Sequence, residues 1–145
     1  MREIECTMFS EKGFYIGDPC YVLNRDDYDR CCCRDGVFKC RRGSYCAYST
    51  AYGDGDYEGS DGVEYYVDSG MIGVVAGELV NEEEWGEVTR EHSRYIPCEG
   101  QMMRAIVGVE DGVFRILITD ISENWSYLKD TLIKIDTNEM ILEEE

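Results

Sequence analysis

The stretch Met102–Asp120, MMRAIVGVEDGVFRILITD, decides the fold. Two runs rich in β-branched and apolar residues, Met102–Val109 and Val113–Asp120, flank Glu110-Asp111-Gly112. Asp-Gly between such runs is the strongest short-range signal for a β-hairpin, because both residues tolerate the positive φ of a tight turn. The same pattern recurs upstream. Ile4–Phe9 reads as a strand ending at Glu11-Lys12-Gly13, and Gly13–Leu23 (GFYIGDPCYVL) as two extended pieces hinged at Asp18-Pro19. Val37–Cys40 and Tyr45–Tyr52 form a hairpin around Arg41-Arg42-Gly43-Ser44. Val63–Val67 and the apolar run Met71–Ala76 flank a turn at Asp68-Ser69-Gly70, and Thr131–Asp136 is the last strand.

Helix signals are few. Asn24–Arg30 offers a capping Asn24 with Asp26 and Asp27 in its first turn, and a second candidate starts at Asn81 before Glu82, Glu83 and Glu84. Gly53–Gly62 (GDGDYEGSDG) reads as a polar loop, and Glu143–Glu145 as a solvated acidic end. Only two prolines occur against 15 glycines, so turns rather than kinked helices divide the chain. The expected fold class is α+β, mostly antiparallel β: one compact domain over residues 1–145, with short strands and one or two short helices.

Composition narrows the function. Fourteen Lys and Arg against 31 Asp and Glu leave a net charge of −17, a field that repels nucleic-acid polymers and anionic membranes. No apolar run approaches the roughly 20 residues of a membrane helix. Met1–Ser10 carries Glu3 and Glu5 and no apolar h-region, so no signal peptide is expected and the cytoplasm is the expected location. In that compartment the eight cysteines, Cys6, Cys20, Cys31, Cys32, Cys33, Cys40, Cys46 and Cys98, are expected as free thiols.

Catalytic and metal patterns fail on spacing. Asp54, Asp56 and Glu58 followed by Gly59 resemble the opening of an EF-hand loop, but Tyr65 stands where the bidentate Glu belongs. No C-x-x-C pair is present, although Cys40 and Cys46 flank a turn. His92, the single histidine, lies in a polar stretch with no partner for a cysteine nucleophile. Ser69 lacks a G-x-S-x-G context, and Gly53-Asp54-Gly55 is too acidic to cradle phosphate. Arg41/Arg42 and Arg90/Arg94 with Arg104 are local basic groups, most simply solvated. The 11 tyrosines, crowded at Tyr45, Tyr48, Tyr52, Tyr57, Tyr65 and Tyr66, suit either sheet packing or stacking on a flat ligand.

Three segments, Ile16–Leu23 (IGDPCYVL), Thr50–Gly55 (TAYGDG) and Val67–Val75 (VDSGMIGVV), together resemble a group of small uncharacterised proteins of bacteriophages and bacteria. That group is similar to a domain-of-unknown-function family with a "DP" turn and a "VDAG" turn; Ser69 stands where the group often has Ala. The likeness runs from Ile16 to Leu79 and implies a compact β-rich domain and a phage or prophage accessory role, such as binding a host factor or sequestering a nucleotide-like signal.

The leading expectation is a non-catalytic cytosolic binding module for a small polar or nucleotide-like ligand, or for a host protein. Its site residues are Asp18, Cys20, Tyr52, Asp54, Asp68 and Ser69, with carboxylates accepting from ligand hydroxyls and Tyr52 stacking. The competing possibility is purely structural turns, each Asp bonding its own backbone. No catalytic residue, metal ligand or cofactor is assigned, and a homo-oligomer is left open. Two alternatives are a small enzyme using Cys20 or the Asp18/Asp68 pair, and a metal-stabilised interaction domain using Cys31–Cys46.

Overall fold

A computed structural model of the chain describes residues 4–23, 28–29, 34–39, 43–80, 93–98, 100–121 and 131–141. Eleven strands among them form two antiparallel sheets packed face to face. The larger sheet contains β1 (Ile4–Ser10), β5 (Gly55–Gly59), β6 (Glu64–Val67), β9 (Met103–Glu110), β10 (Val113–Asp120) and β11 (Thr131–Ile141), in the order β1-β9-β10-β11-β5-β6. The smaller sheet contains β2 (Phe14–Gly17), β3 (Gly36–Lys39), β4 (Ser44–Ser49), β7 (Met71–Ala76) and β8 (Arg94–Ile96), in the order β3-β4-β7-β2-β8.

The deciding hairpin forms as its sequence requires. Glu110 pairs with Val113, leaving a two-residue turn in which Asp111 and Gly112 take φ of 52° and 80°. Both central residues therefore have the positive φ of a type I′ turn, whose twist suits the flanking strands. Period-two alternation points Met103, Ala105, Val107 and Val109 inward, and likewise Phe114, Ile116 and Ile118. They meet Phe14, Ile16, Tyr48, Ile72 and Val74 of the smaller sheet in the shared core. Burying each such aliphatic side chain contributes about 1.5–3 kcal/mol.

Strand β7 is buried along its whole length, as its unbroken MIGVVA run anticipates. One face joins the shared core, and the other lies under a second cluster with Tyr15, Val22, Leu23, Tyr45 and Leu79. Part of that cover is α1 (Pro19–Val22) and a 3-10 turn, Gly77–Leu79.

Five expectations need correction. The chain is nearly all β among the described residues: helical structure there is α1, the 3-10 turn and the pair Tyr28–Asp29. Gly53–Gly62 is not one loop, because Gly55–Gly59 pairs with both β6 and β11. Its Asp and Gly content signals a turn, yet Tyr57 is fully buried between outward Asp56 and Glu58. The segment after Asp18-Pro19 is a helical turn rather than an extended piece, since Asp18 caps it and Pro19 occupies its first turn. Strand β4 ends at Ser49 instead of Tyr52, and β11 runs five residues past Asp136 through an irregularity in its pairing with β5. Most of Asn24–Arg30, the candidate from Asn81, Cys31–Cys33, Cys40–Arg42, Arg90, His92 and Glu143–Glu145 lie outside the described residues.

Candidate functional site

Antiparallel pairing gathers the predicted residues at one end of the sandwich. Strand β2 ends at Gly17 opposite Gly73 of β7, so Asp18 emerges beside the turn that precedes β7. Strand β4 ends at Ser49 opposite Met71, which brings the segment 50–54 to the same end. Gly55 opposes Val67 where β5 begins and β6 ends, closing the group. Two turns separated by about 50 positions thereby become neighbours.

Asp18 locks them together. Its side chain is 1% exposed, and four donors converge on its carboxylate. Oδ1 accepts from the Cys20 N–H at 2.9 Å and the Ser69 hydroxyl at 2.6 Å. Oδ2 accepts from the Asp68 N–H at 2.6 Å and the Ser69 N–H at 2.7 Å. The first bond caps α1, and the other three fix the β6–β7 turn. Gly70 completes that turn with a φ of +77°, a conformation strained for a residue with a side chain. Thr50 N–H then donates to the Gly70 carbonyl at 3.0 Å.

The 50–54 segment is anchored as firmly. The Thr50 hydroxyl donates to the Gly53 carbonyl at 2.6 Å, and the buried Tyr57 hydroxyl donates to the same oxygen at 2.8 Å. Ala51 N–H donates to Thr137 Oγ1 of β11 at 2.9 Å, and Thr137 in turn donates to the Gly112 carbonyl. The result is a rim held by hydrogen bonds to β5, β11 and the β6–β7 turn, carrying Tyr52 at 63% exposure and an exposed Asp54. Asp68 is exposed too: its backbone serves the clasp, while its side chain belongs to the surface.

These carboxylates shape the protonation of their neighbours. Burial pushes the Cys20 thiol well above the ordinary thiol range, and the adjacent carboxylate of Asp18 and the charges of Asp68 and Asp54 add to the shift. The same cause, reinforced by Cys20, Asp68, Tyr66 and Asp18, raises the Tyr21 hydroxyl to about 12. Both groups stay protonated near neutrality. A thiol held in that state is a poor nucleophile, because the thiolate is the reactive form.

Of the six predicted residues, Asp18, Cys20, Asp68 and Ser69 share the clasp, and Asp54 joins through its charge on Cys20. Tyr52 stands on the adjoining rim. Two residues were missed. Tyr21 and Tyr66 place their rings 6.2 Å apart between centroids, tilted by 34°. Tyr66 was legible as the outward member of the Tyr65-Tyr66 alternation; Tyr21 needed the helical turn to be recognised.

The crowded tyrosines divide as sheet packing requires, with Tyr45, Tyr48, Tyr57 and Tyr65 buried. Cys46 pairs in register with Val37 rather than with Cys40, and none of Cys6, Cys20, Cys46 and Cys98 is disulfide-bonded among the described residues. Among the described residues no group of three or more His, Cys, Asp or Glu is arranged to hold a metal ion. None of their helices is long and apolar enough to cross a membrane. No protein family, curated protein or solved structure matches the chain.

Proposed function

We propose that the protein is a non-catalytic binding module whose ligand sits on the rim formed by Tyr52, Asp54 and Asp68, with Tyr21 and Tyr66 beside it. The observation that carries this reading is a division of labour among carboxylates. Asp18 is spent on four internal donors, while Asp54 and Asp68 remain exposed on segments the hydrogen bonds hold fixed. Rigid loops with unspent polar groups are where binding concentrates.

The chemistry of the rim defines the ligand. Two carboxylates accept hydrogen bonds and attract positive charge, and tyrosine faces stack on flat rings. A small molecule with a ring and hydroxyl or amino donors fits. For a nucleotide-like ligand, the base and ribose would face the rim and any phosphate would point away from Asp54 and Asp68. The protonated Cys20 thiol supports binding over the alternative of a cysteine enzyme. A reducing cytosolic setting fits Cys6, Cys20, Cys46 and Cys98, none of which is disulfide-bonded among the described residues. The likeness to phage proteins supports an accessory role in sequestering such a molecule.

Calorimetric titration with a panel of nucleosides and their phosphates tests the proposal. Binding by a nucleoside is expected, with Asp68→Asn weakening it about 5- to 150-fold through one lost charge-assisted hydrogen bond. Unchanged affinity in that variant removes Asp68 from the site. A converted product recovered after incubation replaces the binding module with an enzyme.

A further inference from the structure

We infer that β1 is the self-association edge of the protein and pairs antiparallel with β1 of a second copy across a two-fold axis. Among the described residues the two sheets end in four edge strands: β1 and β6 in one, β3 and β8 in the other. An unpaired edge presents a row of N–H and C=O groups that templates another strand, and proteins shorten or charge their edges to prevent it. Three edges here follow that rule. Strand β6 has four residues including Glu64, β3 has four including Lys39, and β8 has three, including Arg94, with Pro97 just beyond.

Strand β1 does not. It has seven residues, and its register with β9 is unbroken from Ile4↔Val109 to Ser10↔Met103. Seven residues give an edge about 24 Å long at roughly 3.4 Å per residue. It contains no proline, lysine or bulge, and Glu5 is its one charged residue. Its outward residues Thr7 and Phe9 are exposed, Phe9 by 51%.

Symmetry and charge favour a copy of the chain as the occupant. With Thr7 opposite its own counterpart, position 5 of each strand falls opposite Phe9 of the other. Phe9 pairs on its inner side with Arg104 of β9. The register therefore sets partner position 5, an acid, two strand spacings from Arg104, about 9.6 Å between backbones. Arg104 has a buried Nε with no hydrogen-bond partner among the described residues. The pairing thus places an acidic position near Arg104, and a two-fold contact closes at two copies instead of growing into a fibre. Strand β6 and the Tyr66 rim lie at the opposite edge of the same sheet, so association leaves both ligand sites open.

Sedimentation analysis of the full chain across the micromolar range tests this, paired with hydrogen exchange of β1 amides at the two ends of that range. The expected result is a mass rising with concentration from 16.7 kDa towards twice that value, with β1 amides exchanging more slowly as it rises. Thr7→Lys, which sets two ammonium groups opposite each other at the axis, should hold the chain at monomer mass, while Glu64→Lys on the other edge should associate like wild type. A wild-type mass that stays at 16.7 kDa overturns the inference. So does a dimer whose β1 amides ignore concentration, a reading that stands even where Thr7→Lys fails to fold.

Discussion

Strand β6 is held at both ends by a buried aspartate, and the two ends are built differently. Beyond its C-terminal end, Asp18 gathers three backbone N–H groups and the Ser69 hydroxyl, all neutral donors. Before its N-terminal end, Asp61 accepts from Val63 N–H at 3.3 Å, the Tyr65 hydroxyl at 2.6 Å and Arg94 at 3.0 Å. The Arg94 side chain is 34% exposed, so water already screens part of that ion pair. Three of the four donors to Asp18 are backbone N–H groups, which can neither reorient nor accept in return, whereas Asp61 has one such donor, a hydroxyl that can reorient and a cation that can return to solvent. The first clasp therefore has less room to adjust to a change of chemistry than the second. That contrast explains why the end with Asp18 is rigid enough to present a rim.

Substitution of Asp18 should produce the largest effect. Asp18→Asn turns one acceptor oxygen into an amide that faces N–H donors, and charge-assisted bonds are lost as well. A loss of about 3 kcal/mol is expected, read as a lower denaturant midpoint with unchanged slope. A loss below that of Asp61→Asn would break the comparison. Ser69→Ala removes one of the four donors and keeps the Ser69 N–H, for about 1.5 kcal/mol. Its effect should vanish in the Asp18→Ala background, since both act through one carboxylate. At the other end, Asp61→Asn and Arg94→Met should each cost within about 1 kcal/mol, and only the ion pair's share should shrink with added salt.

The smallest effect is a titration. The Tyr21 hydroxyl is shifted from 10 to about 12 by burial and by the charges around the clasp. Its contribution to stability is fully present below the unfolded value of 10 and is lost as pH rises through the folded value near 12. Absorbance titration of wild type against Tyr21→Phe should lose one tyrosine ionising near that upper value. A phenol in Tyr21 that ionises like a free tyrosine would remove the negative field assigned to Asp68 and its neighbours.

Local signals were readable where sequence and fold agree at short range. Asp111-Gly112 announced its hairpin and Met71–Ala76 its buried strand, because turn chemistry and hydrophobic runs are local properties. Strand β5 was concealed by glycines whose purpose is spatial. A side chain at Gly55 would collide with Met140, and one at Gly59 with Asp61 and Tyr65, contacts that only the folded sheet creates. Asp18-Pro19 carried a local signal that favoured a helix cap over a hinge. The site itself was half legible. Polar turns at Asp18-Pro19-Cys20 and Asp68-Ser69-Gly70 marked the right end of the molecule, but nothing near Asp18 reveals that its carboxylate is consumed 50 residues away.

Amide hydrogen exchange at Asp68 and Ser69 tests the central claim most directly, because both N–H groups lie in a turn outside any strand ladder and owe their protection to Asp18. Slow exchange of both amides in wild type is expected, falling to the rate of an open turn in Asp18→Asn while the β9 and β10 amides keep their protection. Fast exchange at Asp68 and Ser69 in the wild-type protein would contradict the clasp, and with it the assignment of the rim that the clasp holds in place.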